Sequence, residues 1–148
     1  MIATAVGGIA TALMTLVTAG PTTAPQPCKP IAKDPRASVK VHSATVRPGG
    51  RDLAVKVTYV CRKGTSVAVV AAQPPGSGAK AQRIGAGSAK PICDGAPHTT
   101  TVIAKPSKPF SGTWRRGTHA TVGANVLLII DRCSYTMSRH VIPKATLK

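Results

Sequence analysis

From residue 38 onward, apolar and polar side chains alternate with a period of two, which is the pattern of strands with one buried face. Val39, Val41 and Thr45 open a first run, stopped at Pro48-Gly49-Gly50. Leu53, Val55, Val57 and Tyr59 share one face of the next, with Ala54, Lys56 and Thr58 on the other, and Arg62-Lys63-Gly64 makes the turn. Val67, Val69 and Ala71 mark a third run, closed by Pro74-Pro75-Gly76. A Gly-, Ser- and Ala-rich stretch carries a weak strand over 82–88, followed by turn chemistry at Cys93-Asp94-Gly95-Ala96-Pro97. A β-branched run over 98–104 comes next, then a proline-containing loop over 105–116. Ala120, Val122, Ala124, Val126, Leu128 and Ile130 define a long strand over 118–130, and 134–142 returns as the last. No segment has the 3.6-residue period of an amphipathic helix. Seven short strands at this spacing predict an all-β domain, an immunoglobulin-like antiparallel β-sandwich.

The start of the chain follows a different rule. Residues 2–17 carry no charge and end at Val17-Thr18-Ala19, with Pro21, Pro25 and Pro27 beyond. As a helix the run rises about 24 Å, short of a bilayer core of roughly 30 Å. The pattern is that of a secretory signal peptide over 1–19, although no Lys or Arg precedes the apolar run. An uncleaved membrane anchor is the alternative, which the low Leu and Ile content disfavours. A Pro/Thr-rich arm over 20–37 leads into the domain over 38–148. The expected location is extracellular, with retention at the cell wall.

Export changes how the cysteines are read. Cys28, Cys61, Cys93 and Cys133 are an even set in an oxidising compartment, so two disulfides are the default. None stands in the close spacing of a zinc or redox site. In a sandwich of this strand order all four fall at one pole, consistent with two bridges there; spacing alone leaves three connectivities open.

The run Val57-Thr58-Tyr59-Val60-Cys61 followed by a Gly, then Cys93-Asp94-Gly95-Ala96-Pro97-His98-Thr99, then Phe110 and Gly117-Thr118-His119-Ala120-Thr121-Val122, resembles small secreted actinobacterial proteins of unknown function. The resemblance covers about residues 52–130. It implies a signal peptide, a β-sandwich and a bridge between Cys61 and Cys93, and it supplies no catalytic residues. The heavy positive charge, Cys28 and Cys133 depart from that pattern.

Charge is the remaining signal. Lys and Arg number 20 against four acids, for a formal +16, and none of it lies in the first 19 residues. There is no Glu, which leaves Asp34, Asp52, Asp94 and Asp131 as the whole carboxylate supply. A glycosidase would need two of these close together, and Asp94 and Asp131 share a pole. Each sits in turn sequence, where Asp bonds to backbone. His42, His98, His119 and His140 stand on separate strands without metal-ligand spacing, and no phosphate loop or nucleophile elbow is present. No catalytic residue, metal or cofactor is therefore predicted.

Loop assignment places Arg47, Arg51, Lys105, Lys108, Arg115 and Arg116 at the pole opposite the cysteines, beside Trp114, as a candidate polyanion-binding cluster. Aromatics make up 3% of the chain, too few for a base-stacking platform, so no specific nucleic acid is expected. The expected partners are anionic envelope polymers or an unidentified extracellular protein. The alternative is a secreted cationic effector or protein inhibitor acting through the 105–116 loop.

Overall fold

The computed structural model describes residues 24, 26–76, 82–107 and 112–148. The predicted signal segment and Lys108 lie outside the described residues.

Every described element is a strand: β1 (Ser38–Val46), β2 (Leu53–Val60), β3 (Ser66–Gln73), β4 (Arg83–Ala89), β5 (His98–Pro106), β6 (His119–Ile130) and β7 (Cys133–Thr146). Their bounds follow the alternation and the turn residues. β1 and β2 are joined through Gly49 and Gly50 at φ 85° and 71°, a backbone region that residues with a Cβ seldom enter. β6 and β7 are joined by Asp131 and Arg132, both at positive φ, as a two-residue hairpin matching the strand twist requires.

The seven strands pair in the order β1-β2-β5-β4-β3-β6-β7, all antiparallel. β1, β2 and β5 form a three-stranded leaf, and β4, β3, β6 and β7 a four-stranded one. The leaves meet along one side where β4 touches β5 through Gly85 opposite Pro106 and Ala86 opposite Lys105. On the other side Ala44 bridges Leu147 in parallel, with Val46 N donating to Lys148 O at 2.8 Å and Lys148 N to Ala44 O at 3.0 Å. The all-β, seven-stranded expectation is met. The sheet, however, is nearly closed and barrel-like rather than two plainly separate layers.

Two local features produce the closure. β4 is glycine-rich because its backbone lies against β5: a Cβ on Gly87 would collide with the carbonyl of Ile103, and one on Gly85 would lie 2.8 Å from Trp114 Cζ2. This is the weak strand of the sequence, and its missing side chains allow the join. β7 in turn runs on to Thr146, past the predicted end at 142, with irregularities opposite Ala120/Val122 and Val126/Leu127 that bend it toward β1.

The interior is filled mainly by Val and Ala from both leaves, with Leu53, Tyr59, Trp114, Met137 and Leu147 as its larger members. Small side chains suit a narrow, nearly closed sheet, since bulkier ones would force the leaves apart. Cys61 pairs with Cys93 (Cα–Cα 4.6 Å) and Cys28 with Cys133 (Cα–Cα 5.7 Å), all four at one end. Two bridges are consistent with an oxidising environment. The pairing implied by resemblance for Cys61 and Cys93 is present. Cys28 ties the arm down, assisted by Tyr135 Oη donating to Lys29 O at 2.7 Å.

Candidate basic surface

At the end opposite the disulfides, three pieces of chain are held together by backbone and buried polar contacts. Trp114 is 5% exposed, and it fastens the β5–β6 loop to the β1–β2 turn. Its backbone N–H donates to Gly50 O at 2.7 Å and its Nε1 to Arg51 O at 3.1 Å. Gln73, fully buried at the end of β3, fastens the same loop from the other side. Its Nε2 donates to Arg115 O (3.2 Å) and Thr118 Oγ1 (2.6 Å), while its Oε1 accepts from Arg115 N (3.0 Å). A buried amide must satisfy its donors and acceptor, and here the loop backbone does so.

This scaffold brings Arg47, Arg51, Arg115 and Arg116 to one end, with Lys105 at the close of β5. Their roles differ. Arg47, Arg51 and Lys105 are exposed. Arg116 is exposed but donates from a guanidinium nitrogen to Val46 O at 3.0 Å. Arg115 is half-buried and donates to Pro74 O at 2.9 Å, so it acts as a tether. Lys148 joins the group because the closing hydrogen bonds bring the end of β7 across β1. Nothing in the alternation pattern pointed to it. Lys40 and Lys56 were also missed: both are exposed on the outer face of the three-stranded leaf, a placement their outward parity would have revealed.

The carboxylates are engaged elsewhere. Asp34 accepts from the backbone N–H groups of Arg62 (2.8 Å) and Arg36 (3.0 Å), which hold its carboxyl below the usual range, with the Arg62 charge adding to the effect. This contact also docks the arm onto the β2–β3 turn. Asp94 accepts from His98 Nε2 and from Ala96 N, both at 2.8 Å, and the His98 bond is the larger cause of its lowered pKa. Asp131 stands exposed in the β6–β7 turn. Asp94 and Asp131 thus both occupy turns. Among the described residues the one ion pair within 4.0 Å is His98 with Asp94, so the described Lys and Arg side chains have no carboxylate partner.

The other histidines make separate contacts. His42 Nε2 meets Thr58 Oγ1 at 2.8 Å, His140 Nδ1 accepts from Val41 N at 3.1 Å, and His119 Nδ1 lies 3.4 Å from Thr146 Oγ1. The described residues contain no group of three His, Cys, Asp or Glu side chains placed to hold a metal, and no helix long and apolar enough to cross a membrane.

Comparison with protein-family models, curated proteins and solved structures finds no match for this chain.

Proposed function

We propose that the protein is a secreted, disulfide-stabilised, immunoglobulin-like β-domain that binds anionic polymers of the cell envelope or extracellular space without catalysis. The division into β1-β2-β5 and β4-β3-β6-β7 supports the immunoglobulin-like reading, as does the approach of the first strand to the last. The uncharged run over 2–17 and the two disulfides support export.

One observation carries the binding reading: in a chain of formal charge +16, no described Lys or Arg is neutralised by a carboxylate within 4.0 Å. Unpaired cations on a rigid frame set up a field that attracts polyanions, and salt screens it over roughly 10 Å at 0.1 M. Arg47, Arg51, Lys105 and Arg116 are the first candidate contact region, with Arg115 as their tether. The experiment is retention of the purified, oxidised protein on isolated cell walls across a salt series. Strong retention at low salt that falls as salt rises is expected; no retention at low ionic strength rejects the reading.

A second reading, inhibition of another protein through the 105–116 loop, is favoured by the anchoring of Trp114 and Arg115, which fixes the end of the loop that leads into β6. Inhibition assays against secreted proteases separate it from polymer binding.

A further inference from the structure

Four bulky apolar side chains are exposed among the described residues: Val70 on β3, and Ile92, Ile129 and Ile130 at 59%, 48% and 44%. The three isoleucines all stand at the disulfide end, and a run of contacts joins them. Ile129 N donates to Thr65 Oγ1 at 2.9 Å. Beside Thr65, a Cβ on Gly64 would lie 3.0 Å from Cys93 Sγ, and Ile92 precedes that cysteine. Ile130 lines a cavity of about 330 Å³ with Cys28, Lys29, Cys133 and Tyr135. Neither Ile129 nor Ile130 fills the interior, since the fully buried row of β6 ends at Val126. Neither makes the turn, which falls on Asp131 and Arg132.

Cations surround this apolar group. Arg62 and Lys63 lie in the β2–β3 turn, Lys90 stands beside Gly64 and Thr65, Arg132 is in the hairpin, and Lys29 shares the cavity; all five are exposed. The arm, docked here through Asp34, adds exposed Lys33 and Arg36. Asp34, Asp94 and Asp131 belong to the same end and leave it a surplus of positive charge. The first two also spend their oxygens on neighbouring N–H groups.

The arm bears on what this end meets. It is tied down at Cys28, and residues 18–27 alone separate that point from the uncharged run over 2–17. Fully extended, that link reaches about 40 Å. A bilayer that holds the run is therefore tethered to this end of the fold and not to the opposite one.

We propose that the disulfide end docks on a membrane surface bearing anionic lipid headgroups. Ile92, Ile129 and Ile130 enter the interface, and Arg62, Lys63, Lys90 and Arg132 meet the headgroup phosphates. Apolar side chains ringed by cations match a bilayer interface, where acyl chains lie just below negative charge. A soluble polyanion offers no apolar layer for the isoleucines. A second copy of the chain would cover the isoleucines, but two ends of like charge repel. The proposal does not depend on polymer binding at the opposite end.

The test is sedimentation of the secreted form, with both disulfides intact, on vesicles of phosphatidylglycerol and phosphatidylcholine or of phosphatidylcholine alone. Binding is expected to the mixed vesicles and is expected to fall as salt rises. I92S/I129S/I130S should weaken it by at least about tenfold. R62Q/K63Q/K90Q/R132Q should weaken it by about fivefold for each cation that reaches the headgroups. Val70→Ser, which removes the exposed apolar side chain away from this end, should leave it unchanged. Ile130→Trp reads depth: its emission should shift to the blue and be quenched by brominated lipid, whereas Trp114, buried at the opposite end, should do neither. Vesicle binding that survives the isoleucine triple overturns the proposal, as does an Ile130→Trp emission indifferent to lipid. No sedimentation with the mixed vesicles at low salt overturns it as well. A native dimer that the isoleucine triple disperses, without vesicle binding, assigns the face to a second copy and rejects the membrane. Retention on cell walls reads polymer binding separately, so either reading can fail without the other. The substituted side chains are exposed, so thermal midpoints within a few degrees of wild type are expected.

Discussion

Replacing Gln73 with Leu tests whether a single buried amide holds the basic loop in place. The substitution keeps side-chain volume close to native and removes all three hydrogen bonds that Gln73 makes to Arg115 and Thr118. The partners do not suffer equally. Arg115 O still accepts from Thr118 Oγ1 at 2.7 Å, and the Thr118 hydroxyl needs no donor. Arg115 N–H loses its acceptor beside a fully buried position, and an orphaned buried donor costs about 1–3 kcal/mol. The two lost amide donations add roughly 1 kcal/mol together, offset in part by the apolar gain of Leu. With that offset the net expectation is a loss of about 1–3 kcal/mol, a sizeable part of the 5–15 kcal/mol typical of a domain. Guanidinium unfolding with both disulfides intact measures that loss. Native-state hydrogen exchange then separates local from global effects: the Arg115 amide should lose more protection than the β2 and β3 amides. A loss under about 1 kcal/mol with unchanged Arg115 protection would refute the clamp.

Three further outcomes follow from the packing. Chain entropy assigns about 4 kcal/mol to the Cys61–Cys93 bridge and about 5 kcal/mol to Cys28–Cys133, from separations of 32 and 105 residues. The observed order is expected to be reversed, because Cys61 is fully buried whereas Cys28 sits on an exposed arm that can fray; paired Cys→Ala variants in denaturant unfolding decide it. Gly87→Ala should cost about 1–3 kcal/mol and loosen the β4–β5 join, since the new methyl meets the Ile103 carbonyl; a neutral result in the same assay removes that account of the glycine-rich strand. Asp34 and Asp94 have folded pKa values below their ordinary 3.8, so each contributes stability above that pH and loses it as pH falls through the folded value. Denaturant midpoints between about pH 5 and pH 2 should decline less steeply in Asp34→Asn than in the native protein.

The strands and most of their inward faces were legible because alternation and turn chemistry are local. In β1 the bulge between Val41 and Ser43 shifts the parity, so Ala44 and Val46 face the core in place of Thr45, and Ile130 at the end of β6 is exposed. β2 shows this best: Leu53, Val55, Val57 and Tyr59 all face the core, and Cys61 closes the strand. β4 was the least legible strand, since glycines chosen for close backbone approach look like linker until β5 is seen against them. Gln73 was invisible for a similar reason. It reads as the polar end of an apolar run, and only the folded loop supplies the acceptors and donor that permit its burial.

Alone, then, the sequence determined the class, seven antiparallel strands with an even cysteine set, because side-chain parity and turn residues act over a few neighbours. Tertiary structure decided what depends on distant residues meeting. The Ala44–Leu147 bridge nearly closes the sheet, and two specific disulfides lie at one end. The charge belongs to that second group as well. Counting residues shows a strongly basic chain, but strand register decides where the charge goes: Lys40 and Lys56 on the outer face of one leaf, Arg139 on that of the other, and Lys105 at the seam between them.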